Sequence, residues 1–149
     1  MNEQDLIETR RVLESWGDDV LSSMRNILST NGKIASGNLI SSLKYEITFN
    51  GTNLDIEFQM PEYGEFVDRG RKPGKMPPIS SIQQWTQIKG IPQKAAFPIA
   101  KKIAKEGIKA TPFFETSING EQERLLSYLE MAFTKDYENY LEKQIKEKF

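Results

Sequence analysis

Two strictly alternating segments on either side of an Asn-Gly turn constrain the fold more than any other feature of this chain. In residues 43–49 an apolar side chain occupies every second position, and the same alternation returns in residues 54–60. The linking residues begin with Asn50-Gly51, a dipeptide that favours tight hairpin turns. A period of two places the apolar side chains on one face of a strand. The pattern therefore predicts a half-buried antiparallel β-hairpin.

Helical periodicity dominates the rest of the chain. Residues 3–29 carry apolar side chains at three- and four-residue steps, with Gly17 inside the pattern, and predict a long amphipathic helix. Its stop signal is the segment from Ser29 to Gly32. Shorter helices are expected at 63–67 and 79–89, the second ended by a glycine.

A further helix is expected at residues 94–106, with one apolar and one basic face. Pro98 is compatible with it only in the first turn, where a missing N–H costs little. The side chains expected to face inward are Phe97, Ala100, Ile103 and Ala104. Those expected to face outward are Lys101, Lys102 and Lys105.

The last third of the chain also has helical character, from Phe113 to about residue 148. Thr111-Pro112 is typical of an N-cap followed by proline at the first helical position, and Asn119-Gly120 is an expected break. The apolar stripe of this segment consists of Leu125, Leu126, Leu129, Phe133, Tyr137, Tyr140 and Leu141. With no repeat or long linker, residues 1–149 are expected to form a single α+β domain: a long N-terminal helix, a hairpin or small sheet with short helices packed on it, and a C-terminal helix.

Composition argues against an enzyme. The chain has no cysteine and no histidine, which excludes disulfides, cysteine nucleophiles, histidine-based triads and zinc fingers. Asp55 and Glu57 share a strand face, but alternating charge there is far more often a solvated surface. We therefore expect no catalytic residues, no cofactor and no metal, and a nuclease remains only a minor alternative. The N-terminal residues lack the pattern of a secretory signal, and no apolar segment approaches a membrane span, so the expected location is the cytosol or a particle assembled there.

Charge is segregated along the sequence. Residues 1–68 carry 5 Lys+Arg against 12 Asp+Glu, residues 69–109 carry 10 against 1, and residues 110–149 carry 5 against 8. Such blocks favour either complementary contacts between subunits or contact with a polyanion. The contact residues expected from the basic block are Arg69, Arg71, Lys72, Lys75, Lys101, Lys102 and Lys105. The expected acidic counter-surface consists of Glu62, Glu65 and Asp68.

Nucleic-acid binding is the alternative interpretation of the basic block. Lysines near Trp85 and Phe97 could contact phosphate and stack bases without reading sequence. Against this, Trp85 lies three residues from both Ile82 and Ile88, a spacing typical of core packing. A phosphate-binding loop at residues 70–75 is rejected, because Met76 stands where a Walker motif needs Ser or Thr.

Four segments, in order, resemble the tail-completion or neck proteins of tailed bacteriophages, also described as head–tail joining proteins or minor tail components. The first runs from Ser36-Gly37-Asn38-Leu39 to Leu43, where the first strand begins. The second is Glu62-Tyr63-Gly64-Glu65-Phe66-Val67-Asp68-Arg69-Gly70-Arg71. The third combines Pro77-Pro78-Ile79 with Ile82, Trp85 and Lys89-Gly90. The fourth is the segment from Ala96-Phe97-Pro98 to Gly107, followed by Thr111-Pro112-Phe113-Phe114.

The resemblance covers about residues 3–118 and leaves 119–149 as a helical C-terminal extension. It implies a structural virion protein that forms a ring of about six or twelve copies at the neck or tail top. Its partners would be further copies of itself, other connector and tail proteins and packaged DNA, with no membrane involved. Assembly would take place in the host cytoplasm. A small non-specific DNA-binding protein using residues 69–109 is the alternative function.

Overall fold

The computed structural model describes residues 1–31 and 37–149, and of Asn38 only the backbone. Gly32 and Ser36, which belong to the predicted helix stop and to the first phage-like segment, lie outside the described residues. A single 3-10 turn at Glu3–Asp5 precedes α1, and another at Gln93–Ala95 precedes α5. The helices are α1 (Ile7–Thr30), α2 (Gly37–Ser42), α3 (Glu62–Arg69), α4 (Ile79–Lys89), α5 (Ala96–Glu106) and α6 (Phe113–Lys148). The strands are β1 (Lys44–Phe49) and β2 (Leu54–Gln59), which confirms the α+β class.

The chain divides into two compact units, each assembled from separate stretches of sequence. One comprises Met1–Ser22, Lys44–Gln59 and Ser117–Phe149, with 8 Lys+Arg against 16 Asp+Glu, a balance of −8. The other comprises Ser23–Leu43 and Met60–Thr116, with 12 against 5, a balance of +7. We call them the acidic unit and the basic unit. Neither unit is continuous in sequence, and the expectation that residues 1–149 form a single domain stays a prediction.

In the acidic unit the hairpin forms as predicted. β1 and β2 are antiparallel, and the register pairs Tyr45 with Phe58 and Ile47 with Ile56 on the apolar face. Asn50 shapes the turn, because its Oδ1 accepts hydrogen bonds from the N–H groups of Thr52 and Asn53. The apolar face packs on α1, where the ring centroids of Trp16 and Phe58 lie 5.7 Å apart. This contact places the hairpin against the first half of the long helix.

Within the acidic unit α6 runs antiparallel to α1. The Trp16 indole N–H donates to the carbonyl of Glu121, 3.2 Å away, while Asp5 pairs with Lys143 at the other end. Between these contacts Asp136 is 2% exposed and accepts hydrogen bonds from the N–H groups of Glu8 and Thr9. Those N–H groups belong to the first turn of α1, so Asp136 caps that helix from a distant part of the chain.

The basic unit has its own core between α4 and α5. Ile82, Ala96 and Ala100 are buried there, and Ile79, Ile99 and Ile103 pack around them. α4 ends at Gly90 in the left-handed conformation, with φ of 69°, as the glycine stop signal predicted. Pro98 is the third residue of α5 and thus lies in its first turn, where proline is tolerated.

Three expectations about the helices were wrong in detail. α6 continues through Asn119-Gly120 without a break, since a single glycine costs a long packed helix only about 1 kcal/mol. Pro112 precedes the first helical residue rather than occupying it, and Asp68 supplies the cap instead of Thr111. The Asp68 Oδ1 accepts from the N–H of Phe114 at 2.8 Å. Phe97 faces outward, not inward, because the small side chains of Ala96 and Ala100 fill the space against α4.

Candidate interaction surface

The basic segment between α3 and α4, residues 70–78, is held at its base by an antiparallel bridge between two residues. The N–H of Arg71 donates to the carbonyl of Ile108, and the N–H of Ile108 donates back to Arg71, each at 2.8 Å. Gly70 and Gly107 flank this bridge, both with positive φ. A Cβ at Gly70 would lie 2.6 Å from the Ile108 carbonyl oxygen. Glycine is therefore required on both sides for the two backbones to approach so closely.

Arg71 organises this segment, which we call the basic loop. Its Nη2 donates to the carbonyl of Met76 at 3.1 Å, and its guanidinium carbon lies 5.3 Å from the ring centroid of Phe66. The guanidinium thus closes the loop and stacks on α3. Lys72 and Lys75 are exposed on the same loop. Of the predicted contact residues in the loop, Arg71 has a structural role, whereas the two lysines are available to a partner.

The outer face of α5 carries the other predicted contact residues. Lys101, Lys102 and Lys105 are exposed, as expected. Phe97 lies beside them with 53% of its surface exposed, and the Nζ of Lys101 is 5.3 Å from its ring centroid. We call Phe97, Lys101, Lys102 and Lys105 the lysine face. It combines an exposed aromatic ring with several cations, which suits a partner that offers both apolar surface and negative charge.

The cations of block 69–109 differ from those of the acidic unit in their ion pairing. Within residues 1–31 and 37–149, none of the ten Lys and Arg side chains of the block 69–109 forms a salt bridge. In the same part of the chain, the salt bridges all lie in the acidic unit, as in the pairs of Arg124 with Asp19 and of Lys135 with Glu8. The positive charge of the basic unit is therefore available to a partner outside its own fold.

The predicted acidic counter-surface is only partly a surface. Glu62 and Glu65 are exposed on α3, next to the exposed Arg69 at its end. Asp68 is 8% exposed, because it points toward the start of α6 and caps that helix. The sequence prediction grouped the three carboxylates because they lie close together in the chain. It could not show that Asp68 caps a helix more than forty residues away, since the residues around Asp68 carry no signal of that contact.

An apolar pocket between α3, α4 and α5 was not anticipated from the sequence. It has a volume of about 240 Å³ and is lined by Tyr63, Phe66, Val67, Ile82, Trp85, Ile99, Ile103 and Ile108. Trp85 is half-buried in its wall. This position matches the predicted packing role of Trp85. Among the described residues of the basic unit, Phe97 is the aromatic side chain that is exposed.

Comparison with known proteins adds no relative. No family model, curated protein or solved structure matches this chain.

Among the described residues, no cluster of three or more acidic side chains is arranged to hold a metal ion. No helix in that part of the chain is both long and apolar enough to cross a membrane.

Proposed function

We propose that this chain is a structural virion protein that assembles into a ring at the neck or tail top of a tailed bacteriophage. The resemblance of four ordered segments supports the location. The opposite charges of the two units support the assembly, and this is the observation on which the proposal depends. An acidic unit of −8 on one copy and a basic unit of +7 on the next attract each other in a head-to-tail arrangement.

Head-to-tail contacts use two different surfaces of the same chain, and they close into a ring when the rotation between neighbours allows it. The cations of block 69–109 form no salt bridge among the described residues, which leaves them available for such a contact. In the virion the ring would join the portal-proximal connector to the tail. Structural rather than catalytic work is consistent with a chain that contains no histidine and no cysteine.

Quantitative mass spectrometry of purified particles tests the location. Particles of the phage whose genome carries this gene should contain the chain in a fixed ratio to the tail proteins, and it should survive high-salt washing. Particles made without the gene should accumulate as separate heads and tails. A chain that is abundant in infected cells but absent from washed, infectious particles would contradict the proposal.

Non-specific DNA binding is a second candidate, favoured by the lysine face with its exposed Phe97. Phosphate contacts by several lysines predict a steep fall of duplex affinity with salt, because each contact releases a counterion. Band-shift titrations at several salt concentrations measure this slope. Replacing Lys101, Lys102 and Lys105 by glutamine should flatten it, whereas the same change at Lys135, which pairs with Glu8 in the acidic unit, should not.

A further inference from the structure

The outer side of α6 carries an apolar stripe that nothing in the described structure covers. Its members are 42–64% exposed. They are Leu126, Phe133, Tyr137, Leu141 and Ile145. We call them the outer stripe. The apolar stripe predicted from the sequence includes all of them except Ile145, but the buried face of the helix is offset from them and contains Ala132 and Asp136.

The size of the outer stripe is that of a contact surface. Aromatic and aliphatic side chains exposed to this extent present on the order of 500 Å² of apolar surface together. A patch of this size is at the upper end of what monomeric proteins expose, and it approaches the roughly 800 Å² per partner of a stable interface. A partner surface is therefore expected over this side of α6.

Charge at the stripe identifies what kind of partner fits. Glu123, Glu130 and Glu138 lie among or beside the stripe residues on the helix surface, and all three are exposed. In the described part of the chain none of them forms a salt bridge. The surface that covers the stripe should therefore be apolar at its centre and positively charged at its edges.

This chain has such a surface on α5. The lysine face presents Phe97 and three lysines, also without salt-bridge partners among the described residues. We infer that the outer stripe of one copy packs on the lysine face of a second copy, with Glu130 and Glu138 facing Lys101 and Lys105. The inference rests on the proposed ring and names the surfaces that join neighbouring subunits.

A symmetric contact between two outer stripes is disfavoured by the same charges. It would place glutamates of one helix beside glutamates of the other, and like charges across an interface cost binding energy. A head-to-tail contact avoids this repulsion. A pair of copies joined in this way still has one uncovered outer stripe and one uncovered lysine face. Growth beyond a dimer follows from that arrangement.

A charge exchange between two variants tests the contact. Variant A carries Glu130→Lys and Glu138→Lys, so that its stripe and its lysine face are both positive. Variant B carries Lys101→Glu and Lys105→Glu, so that both surfaces are negative. Alone, each should self-associate at least about a hundredfold more weakly than the wild type, because like charges meet at every contact. Mixed in equal amounts, they should recover oligomers, since each stripe then meets a face of opposite charge.

Analytical ultracentrifugation at low salt and high protein concentration measures these states, and circular dichroism checks that each variant is folded. Phe133→Ser combined with Leu141→Ser should also abolish association. Tyr128→Gln is the control, because Tyr128 is 53% exposed on α6 but lies on the side of the helix away from the stripe and from Glu130 and Glu138. It should associate as the wild type does.

Several outcomes would overturn the inference. A wild-type chain that stays monomeric at all concentrations would do so, as would a mixture of A and B that fails to recover. Wild-type association by variant B alone would indicate pairing between two stripes instead. The proposed function is tested separately, because the chain's presence in washed particles does not depend on which surfaces join its copies.

Discussion

The ring of Tyr45 lies directly against the backbone of Gly17. A Cβ on Gly17 would be 2.8 Å from both Cε1 and Cζ of that ring, closer than real Cβ atoms come. The ring is fixed in place because its hydroxyl donates toward the carbonyl of Glu14 at 3.0 Å and the Oδ1 of Asp18 at 2.8 Å. Gly17 is therefore needed inside α1 because the ring of Tyr45 from β1 leaves no room for a side chain there.

Replacing Gly17 by alanine should destabilise the protein, although alanine is the better helix former. The propensity gain of about 1 kcal/mol is outweighed by displacement of the Tyr45 ring, which we expect to cost about 2–3 kcal/mol. Urea unfolding followed by circular dichroism should show a lower midpoint. The matched control is Gly120→Ala in α6, where a Cβ meets nothing within 4 Å, and its midpoint should rise. A Gly17→Ala variant as stable as Gly120→Ala would contradict the close packing.

Tyr45 should also make stability depend on alkaline pH. Burial, and then the hydrogen bond and negative charge of Asp18, raise the pKa of Tyr45 from 10.0 to about 12. The folded state therefore holds the phenolic proton more tightly than the unfolded state does. The resulting stability is present in full below pH 10 and is lost as the pH rises toward 12.

Ultraviolet titration of the phenolate band measures this effect. Tyr45 should ionise later than an exposed tyrosine, and Tyr45→Phe should remove its late step from the titration curve. The same substitution should reduce the loss of stability between pH 10 and 12. A titration curve unchanged by Tyr45→Phe would show that the late ionisation belongs elsewhere.

Features encoded by neighbouring residues could be predicted from the sequence, and features that depend on distant residues could not. The hairpin and the end of α4 at Gly90 follow from local alternation and turn chemistry. The orientation of Phe97 was mispredicted, because helical spacing alone does not say that Ala96 and Ala100 fill the inner face. The capping role of Asp68 was missed for a related reason. The N–H groups that it accepts from lie in α6, far along the chain, and no local sequence pattern indicates such a contact.

Asp136 provides a direct test of such a distant cap. It accepts hydrogen bonds from the Thr9 hydroxyl and from two N–H groups in the first turn of α1. Asp136→Ala should lower the free energy of unfolding by about 2–3 kcal/mol, because buried donors lose their acceptor. Asp136→Asn keeps one acceptor oxygen and should lose less. Asn139→Gln, an exposed change three residues away, should stay within about 0.5 kcal/mol of the wild type in chemical denaturation.

Gly107 should be indispensable to the basic loop for two separable reasons. Its φ is 74°, and a Cβ there would overlap the carbonyl oxygen of Arg71 in the bridge. Gly90 has a similar φ of 69°, but its ψ of 21° lies in the left-handed helical region and the space around it is open, so Gly90→Ala gives a lower limit of about 1 kcal/mol for the conformational cost. Gly107→Ala should cost clearly more, since the bridge between Arg71 and Ile108 must open. Hydrogen exchange should then show faster exchange at the Arg71 and Ile108 amides in Gly107→Ala only. Equal destabilisation of the two variants, with both amides still protected, would mean that the bridge tolerates a side chain at this position.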